Sequence, residues 1–236
     1  MTSAALKTLA IFAKYWTPGR VKTRLAKSIG DLAAAQVYRC FLEHSLRNLE
    51  GCTDKTVVGY WPPESRAEFV HDLGQWGLAH TIEFQVQSSG DLGTRMREHF
   101  KRQFADGATH AVLIGSDCPT VCSRTIKQAL NALQTFDVVL GPSEDGGYFL
   151  IGMKQPHDNL FEGIDWSTDR VLEQTMSKIK QNGISVHQLE TMNDIDEMDD
   201  LEKLLNQLNN SPHATEQSLL DDLRQILSTP GGVHEV

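Results

Sequence analysis

The sequence predicts an α/β fold in three layers, with a mainly parallel sheet lying between two layers of helices. Short apolar segments rich in β-branched residues alternate with helical patterns over the first 134 residues, which favours parallel strands joined by helices. Beyond that point two strand-like segments follow each other closely, which predicts an antiparallel excursion in the same sheet. Hydrophobic residues make up 40% of the chain and charged residues 22%, so a folded core is expected.

The predicted elements follow from hydrophobic periodicity and from glycine and proline breaks. Strands are predicted over residues 8–13, 56–60, 81–86, 111–114, 138–140, 148–153 and 184–189. Helices are predicted over residues 31–49, 64–75, 93–104, 123–134, 168–180, 197–208 and 216–227, with Asp31 as a helix N-cap. A composition break at residues 209–212 predicts one domain over residues 1–210, followed by a C-terminal helix and flexible tail over residues 211–236.

The composition excludes several classes of function. Lysine and arginine number 22 against 31 acidic residues, and the resulting charge of -9 disfavours nucleic acid and anionic membranes as partners. The apolar runs are far shorter than the roughly 20 residues that cross a bilayer. The four cysteines lack paired spacing, which disfavours a zinc site and predicts reduced thiols in a cytoplasmic protein. An anionic ligand would therefore have to be bound by a local cluster of basic side chains.

Such a cluster follows the first predicted strand, over residues 14–25. It contains Lys14, Arg20, Lys22 and Arg24 around a turn at Gly19. Arginine offers a planar fork to phosphate oxygens and lysine a compact charge, while a glycine lets backbone N–H groups approach. Since the carboxyl end of a first strand is a usual ligand position in α/β folds, we predict phosphate binding here. The alternative is a solvated charged turn, and the pattern is not that of a P-loop.

Two aspartates are candidate ligands for Mg²⁺ or Mn²⁺, hard cations that prefer oxygen donors. Asp117 follows the predicted strand 111–114 and would reach the same edge of the sheet as the basic loop. Asp196 precedes the predicted helix 197–208 and is the candidate second ligand. The alternative for Asp117 is a helix cap, and acidic residues in a first helical turn are favoured by the helix dipole alone.

The connection over residues 141–148 places two acidic residues among three glycines. As a site, Gly146 and Gly147 would let a sugar or base lie against the backbone, while Asp145 or Glu144 accepts its hydroxyls. As a plain hairpin it needs no further explanation, because Asp-Gly is a common turn signal.

The segment over residues 87–96 has the form of a loop that enters a helix. Asp91, Gly93 and Arg95 are predicted to line the site, with Arg95 and backbone donors facing an anion. The alternative is an ordinary helix start.

Together these motifs resemble the bacterial DUF2064 family, and the resemblance extends over residues 8–201. It is carried by Lys14 with residues 18–25, by residues 90–93, by residues 115–119 and by residues 141–152. The resemblance implies a GT-A-like, or nucleotide-diphospho-sugar transferase, fold, and some members are labelled arsenosugar biosynthesis glycosyltransferases. By position, Asp117 is similar to the metal-binding aspartate of that superfold and Asp196 to the second acid of its nucleotidyltransferases. Residues 22–25 are similar to the phosphate loop of guanylyltransferases that activate phospholactate.

The predicted function is a metal-dependent transferase that acts on a nucleotide or nucleotide-sugar and a small-molecule acceptor, with Lys22, Arg24, Asp117 and Asp145 as catalytic candidates. The family label favours a glycosyltransferase. The basic loop, which suits a triphosphate, favours a nucleotidyltransferase that releases pyrophosphate. A non-catalytic nucleotide-binding module is the third hypothesis, and self-association into a homo-oligomer stays open.

Overall fold

A seven-stranded sheet with helices on both faces forms the computed structural model, which describes residues 5–228. The strands are β1 (Leu6–Lys14), β2 (Lys55–Trp61), β3 (Ile82–Val86), β4 (Ala108–Ile114), β5 (Val138–Pro142), β6 (Tyr148–Met153) and β7 (Val186–Gln188). The helices are α1 (Thr23–Ile29), α2 (Asp31–Asn48), α3 (Arg66–Gln75), α4 (Leu92–Ala105), α5 (Ser123–Ala132), α6 (Val171–Gln181), α7 (Met198–Asn209) and α8 (Ala214–Ser228). The last part of the predicted tail, residues 229–236, lies outside the described residues.

The strand order is β3-β2-β1-β4-β6-β5-β7. Strand β6 is antiparallel to both of its neighbours, β4 and β5, whereas the other paired strands are parallel. This confirms the α/β fold with a mainly parallel sheet and an antiparallel excursion. The chain moves outward from β1 through β2 and β3 and then returns to the other side of β1 with β4. The loops that follow β1 and β4 therefore diverge, and this divergence opens a crevice at the carboxyl edge of the sheet.

The alternation of side chains along β1 explains the two inner layers of the core. Leu9, Ile11 and Ala13 are buried on one face, in a cluster that includes residues of α2, α3 and α5. Ala10 is buried on the opposite face, together with residues of α4 and α6. Because successive side chains of a strand point to opposite faces, one short apolar run serves both layers.

A third apolar cluster contains residues of α1, α2, α7 and α8. Leu219, Leu220 and Leu223 of α8 are buried in it with Val37 and Phe41 of α2. Helix α8 therefore packs against α2 and contributes buried residues to the hydrophobic core.

Two local predictions were wrong. The stretch over residues 14–25 is not loop throughout, because Thr23 and Arg24 already belong to helix α1. That helix has seven residues and buries only Leu25, so its periodicity is too short to read from sequence. Asp31 is not an N-cap: Gly30 is, and Asp31 is the first helical residue of α2. An acidic group there still suits the helix dipole. Among residues 5–228, no helix combines the length and apolar character that a bilayer crossing requires.

Candidate active site cleft

A cleft of about 940 Å³ opens at the carboxyl edge of the sheet, between the loops that follow β1 and β4. Helix α1, the turn after β5 and two later segments complete its wall. Of the predicted site residues, the cleft is lined by Lys14, Arg20, Lys22, Arg24, Arg95, Asp117, Asp145, Gly147 and Asp196. The basic groups from the amino-terminal part of the chain and the acidic groups from three later segments thus face one another across the same space.

Lys22 lies at the centre of this arrangement. Its ammonium contacts a carboxylate oxygen of Asp117 and lies 3.1 Å from Oδ1 of Asp196. Its side chain is only 2% exposed, whereas those of Asp117 and Asp196 are 45% and 42% exposed. The backbone of Lys22 adopts φ 47° and ψ 42°, a left-handed conformation that is unfavourable for a side-chain-bearing residue. Such strained positions are typical of functional sites.

The electrostatics of the cleft follow from this burial and pairing. Burial alone would lower the pKa of Lys22, but the charges and hydrogen bonds of Asp117 and Asp196 outweigh it and raise the pKa. The ammonium is therefore charged at neutral pH. Burial, reinforced by the charges of Asp117 and Asp145, raises the pKa of Asp194 to about 7. The cleft thus contains more carboxylates than Lys22 can neutralise.

The remaining cations of the basic loop are more exposed. Arg24 contacts Glu197 and lies 3.9 Å from Oδ2 of Asp196, with a side chain 62% exposed. Lys14 and Arg20 are exposed at the cleft and make no ion pair with any described residue. These two side chains are free to bind an incoming anion.

A buried hydrogen-bond pair holds the two strand ends together. The hydroxyl of Tyr38 lies 2.7 Å from Oγ of Ser116 and accepts a 2.9 Å bond from the backbone N–H of Lys14. The backbone carbonyl of Asp117 accepts a 2.9 Å bond from the N–H of Ile195. Helix α2 and the segment before α7 therefore position the ends of β1 and β4, a role for Tyr38 and Ser116 that the sequence alone did not indicate.

The turn after β5 is organised around Asp145. Its Oδ1 accepts a 2.5 Å bond from the hydroxyl of Ser143 and a 2.9 Å bond from the backbone N–H of Gly147. Gly146 has φ 86° and does not line the cleft; a Cβ there would overlap the backbone of Asp169. Gly146 therefore allows its backbone to approach that of Asp169 closely, whereas Asp145 lines the cleft.

Three other predicted lining residues have structural positions instead. Asp91 is the N-cap of α4 and accepts a 2.8 Å bond from the N–H of Thr94. Gly93 packs against the indole of Trp166, and Gly19 supplies the turn conformation of the basic loop with φ 75°. None of the three lines the cleft. Arg95 does line it, with its guanidinium 4.4 Å from the ring centre of Trp61.

Asp194 is the main lining residue that the sequence reading missed. It lies two residues before Asp196, and the intervening Ile195 is 4% exposed. In an extended segment a buried residue between two acidic residues places both acids away from the core. The pattern of one apolar residue between two acidic residues, over residues 194–196, could therefore have indicated from the sequence that Asp194 also faces the cleft.

The carboxylates of Asp117, Asp194 and Asp196 are hard oxygen donors, and in kind they fit Mg²⁺ or Mn²⁺. The described residues nevertheless contain no group of three acidic, histidine or cysteine side chains arranged to hold a metal. The ammonium of Lys22 occupies the position between Asp117 and Asp196. A divalent cation held by both carboxylates would therefore require Lys22 to move.

The comparisons with known proteins agree with this architecture. A family model described as "Uncharacterized protein conserved in bacteria (DUF2064)" matches residues 55–168. A crystal structure from Desulfovibrio desulfuricans G20, provisionally described as a nucleotide-diphospho-sugar transferase, is 32% identical, with a TM-score of 0.85 over 94% of this chain and 97% of its own. No curated protein matches the chain.

Two more distant structures share the fold. One is 4-diphosphocytidyl-2C-methyl-D-erythritol synthase from Anaerococcus prevotii DSM 20548, at 10% identity and a TM-score of 0.55 over 85% of this chain and 97% of its own. The other is Rv0371c from Mycobacterium tuberculosis H37Rv in complex with manganese, at 15% identity and a TM-score of 0.52 over 86% of this chain and 99% of its own. By its family model, its full-length relative and its sheet topology, the chain belongs to the DUF2064 family and has the fold of nucleotide-diphospho-sugar transferases.

Proposed function

We propose that this protein is a metal-dependent transferase that binds the phosphates of a nucleotide on its basic loop. The observation that supports it is the convergence of five cationic side chains and five aspartates on one cleft at the switch point of the sheet. Lys14 and Arg20 are exposed there and form no ion pair within residues 5–228, so they can bind phosphate oxygens without first breaking such a pair. Catalysis would consist of positioning and charge stabilisation, with no covalent enzyme intermediate.

Nucleotidyl transfer is the reaction that best suits this distribution of charge. An oxygen of a phosphorylated acceptor would attack the α-phosphorus of a nucleoside triphosphate, and the bond to the bridging oxygen of the β-phosphate would break. Pyrophosphate would leave with the electron pair of that bond. Lys14, Arg20 and Arg24 are the groups that would neutralise the departing charge, since they line the cleft beside the strand ends.

The aspartates would hold the cation. Asp117 and Asp196 are its principal ligands in this proposal, and Asp194 is an additional oxygen donor on the same wall. When bound, a divalent cation would supply positive charge to phosphate oxygens. Manganese and magnesium are the ions to test, because the oxygen donors suit both and the fold relative from M. tuberculosis was solved with manganese.

Glycosyl transfer from a nucleotide-sugar is the second candidate. It is favoured by the provisional description of the 32% identical relative as a nucleotide-diphospho-sugar transferase. The two reactions differ in their leaving group, which is pyrophosphate in the first and a nucleoside diphosphate in the second. A non-catalytic module would bind the same ligands and release neither product.

A product assay separates these three functions. The protein would be incubated with each nucleoside triphosphate and a set of sugar phosphates and other phosphorylated acceptors, or with nucleotide-sugars and neutral acceptors, with Mg²⁺, Mn²⁺ or chelator. Metal-dependent pyrophosphate release supports nucleotidyl transfer, and nucleoside diphosphate release with glycosylated product supports glycosyl transfer. Calorimetric binding of nucleotides with neither product throughout the panel would contradict an enzyme.

Asp117→Asn tests the placement of the site. Loss of a group that stabilises transition-state charge typically costs roughly 100-fold in turnover, and we expect a loss of that order with weaker metal binding. Asp158→Asn is the matched control: this aspartate pairs with Lys101 at 3.0 Å in a segment after β6, at the opposite edge of the sheet. Equal turnover in the two variants would refute the assignment of Asp117.

A further inference from the structure

We propose that Lys22 is a built-in counter-ion that competes with the divalent cation for Asp117 and Asp196 and is released when that cation and the nucleotide phosphates bind. The proposal rests on the metal-dependent function proposed above and specifies how metal and nucleotide binding are linked. The observation that carries it is positional, since one ammonium group already contacts both carboxylates that the cation would use.

The contacts of Lys22 show that this competition is direct. Its ammonium lies 3.1 Å from Oδ1 of Asp196 and contacts Asp117 as well, so the space between the carboxylates is filled by a positive charge. A divalent cation placed there would meet strong repulsion from an ammonium a few ångströms away. Binding of the cation by both carboxylates therefore requires the lysine side chain to leave.

The cleft offers Lys22 another position once a nucleotide is present. Lys14 and Arg20 line the same cleft and would bring phosphate oxygens to the loop that carries Lys22. A lysine side chain has a flexible stem with three rotatable donors, so its ammonium can exchange a carboxylate partner for a phosphate partner. Phosphate would thus stabilise the released lysine, while the cation replaces its charge between the aspartates. The two ligands are expected to bind with positive coupling.

Removal of Lys22 gives the sharpest test. In Lys22→Met the aspartates keep their surroundings but lose the competing charge, and because their side chains are 45% and 42% exposed, water can solvate them. Mn²⁺ binding without nucleotide, measured by electron paramagnetic resonance of the free ion, is expected to be at least tenfold tighter than in the wild type. Lys55→Met is the matched control, because Lys55 also pairs with two acids, Glu83 at 2.8 Å and Asp106 at 3.8 Å, and its removal changes the net charge equally.

A second measurement uses the wild-type protein and does not depend on the folding of a variant. Acylation of lysine amines, followed by peptide mass spectrometry, would report the exposure of Lys22 relative to the exposed Lys14. Lys22 should react slowly without metal, because its side chain is 2% exposed. Saturating Mn²⁺ should accelerate its labelling severalfold relative to Lys14.

Each outcome either supports or overturns the proposed exchange of Lys22 for the cation. Tighter Mn²⁺ binding in Lys22→Met but not in Lys55→Met, with faster labelling of Lys22 in the wild type, supports the exchange. Equal Mn²⁺ affinity in wild type and Lys22→Met, or labelling unaffected by bound Mn²⁺, overturns it and leaves the proposed transferase intact. Absence of Mn²⁺ binding in every form, both with and without a nucleoside triphosphate, overturns both the exchange and the metal dependence. If Lys22→Met does not fold, the labelling result alone decides.

Discussion

Gly93→Ala tests why a glycine stands in the first turn of α4, where it was predicted to line the ligand site. In the structure this glycine faces a side chain: an added Cβ would lie 2.6 Å from Cε2 and Cζ2 of the Trp166 indole. Real Cβ atoms do not approach other atoms so closely, so the indole would have to shift. Trp166 also lines the cleft, so the perturbation would reach the candidate site.

The magnitude follows from two opposing terms. Overpacking of this kind costs about 1–3 kcal/mol. Replacement of glycine by alanine within a helix contributes up to about 1 kcal/mol in the opposite direction. Gly74→Ala isolates the second term, because Gly74 lies in α3 and no atom comes within 4 Å of its added Cβ. We expect Gly93→Ala to be less stable than Gly74→Ala by about 1–3 kcal/mol.

Urea unfolding followed by far-ultraviolet circular dichroism measures both free energies of unfolding. A double-mutant cycle with Trp166→Leu identifies the source of the cost, since the penalty of Gly93→Ala should largely disappear when the indole is absent. The reasoning is refuted if Gly93→Ala and Gly74→Ala stabilise the protein equally.

Two further predictions concern buried polar groups. Tyr38→Phe is expected to lower the free energy of unfolding by about 1–3 kcal/mol, because the N–H of Lys14 loses its acceptor and the hydroxyl of Ser116 loses its hydrogen-bond partner. Denaturant unfolding measures this loss, and an unchanged unfolding midpoint would contradict it. His99 is 2% exposed, and burial lowers its pKa from 6.5 to about 3. Between these values the unfolded chain binds a proton that the folded chain does not, so stability is lost as pH falls, by at most about 1.4 kcal/mol per pH unit. His99→Leu should flatten the dependence of stability on pH between 6.5 and 3, whereas His71→Leu, at an exposed histidine, should leave it unchanged. Equal slopes in the wild type and in His99→Leu would exclude His99 as the source of this pH dependence.

The sequence by itself determined the layered α/β architecture. The alternation of Leu9, Ala10 and Ile11 between two faces is a local property of a strand, and it already requires apolar helices on both sides. The short connection between β5 and β6 likewise excludes a crossover helix, which leaves an antiparallel pair. Periodicity and loop length need no knowledge of distant residues, and for that reason they could be read directly.

The sequence also indicated which strand ends would carry the site. Lys14 ends β1 and Asp117 follows β4, and parallel strands bring their carboxyl ends to one edge of the sheet. The pattern predicted that these side chains would be neighbours, but it did not predict their partners. Whether an acidic residue such as Asp91 faces the cleft or caps a helix depends on the direction of one side chain, which composition and spacing do not specify.

Only the tertiary structure decided the pairing at the centre of the cleft. Lys22 and Asp196 are 174 residues apart in the sequence. They make contact because the chain crosses from β3 to β4, and this crossing opens the crevice at the carboxyl edge of the sheet, where α1 begins. Burial of Asp194 and the nearby charge of Asp117 raise the pKa of Asp194, while the charges of Asp117 and Asp196 keep the buried Lys22 ammonium protonated between them. Such long-range electrostatics depend on distances between segments that no local pattern encodes, because charge interactions are set by separation and surrounding solvent.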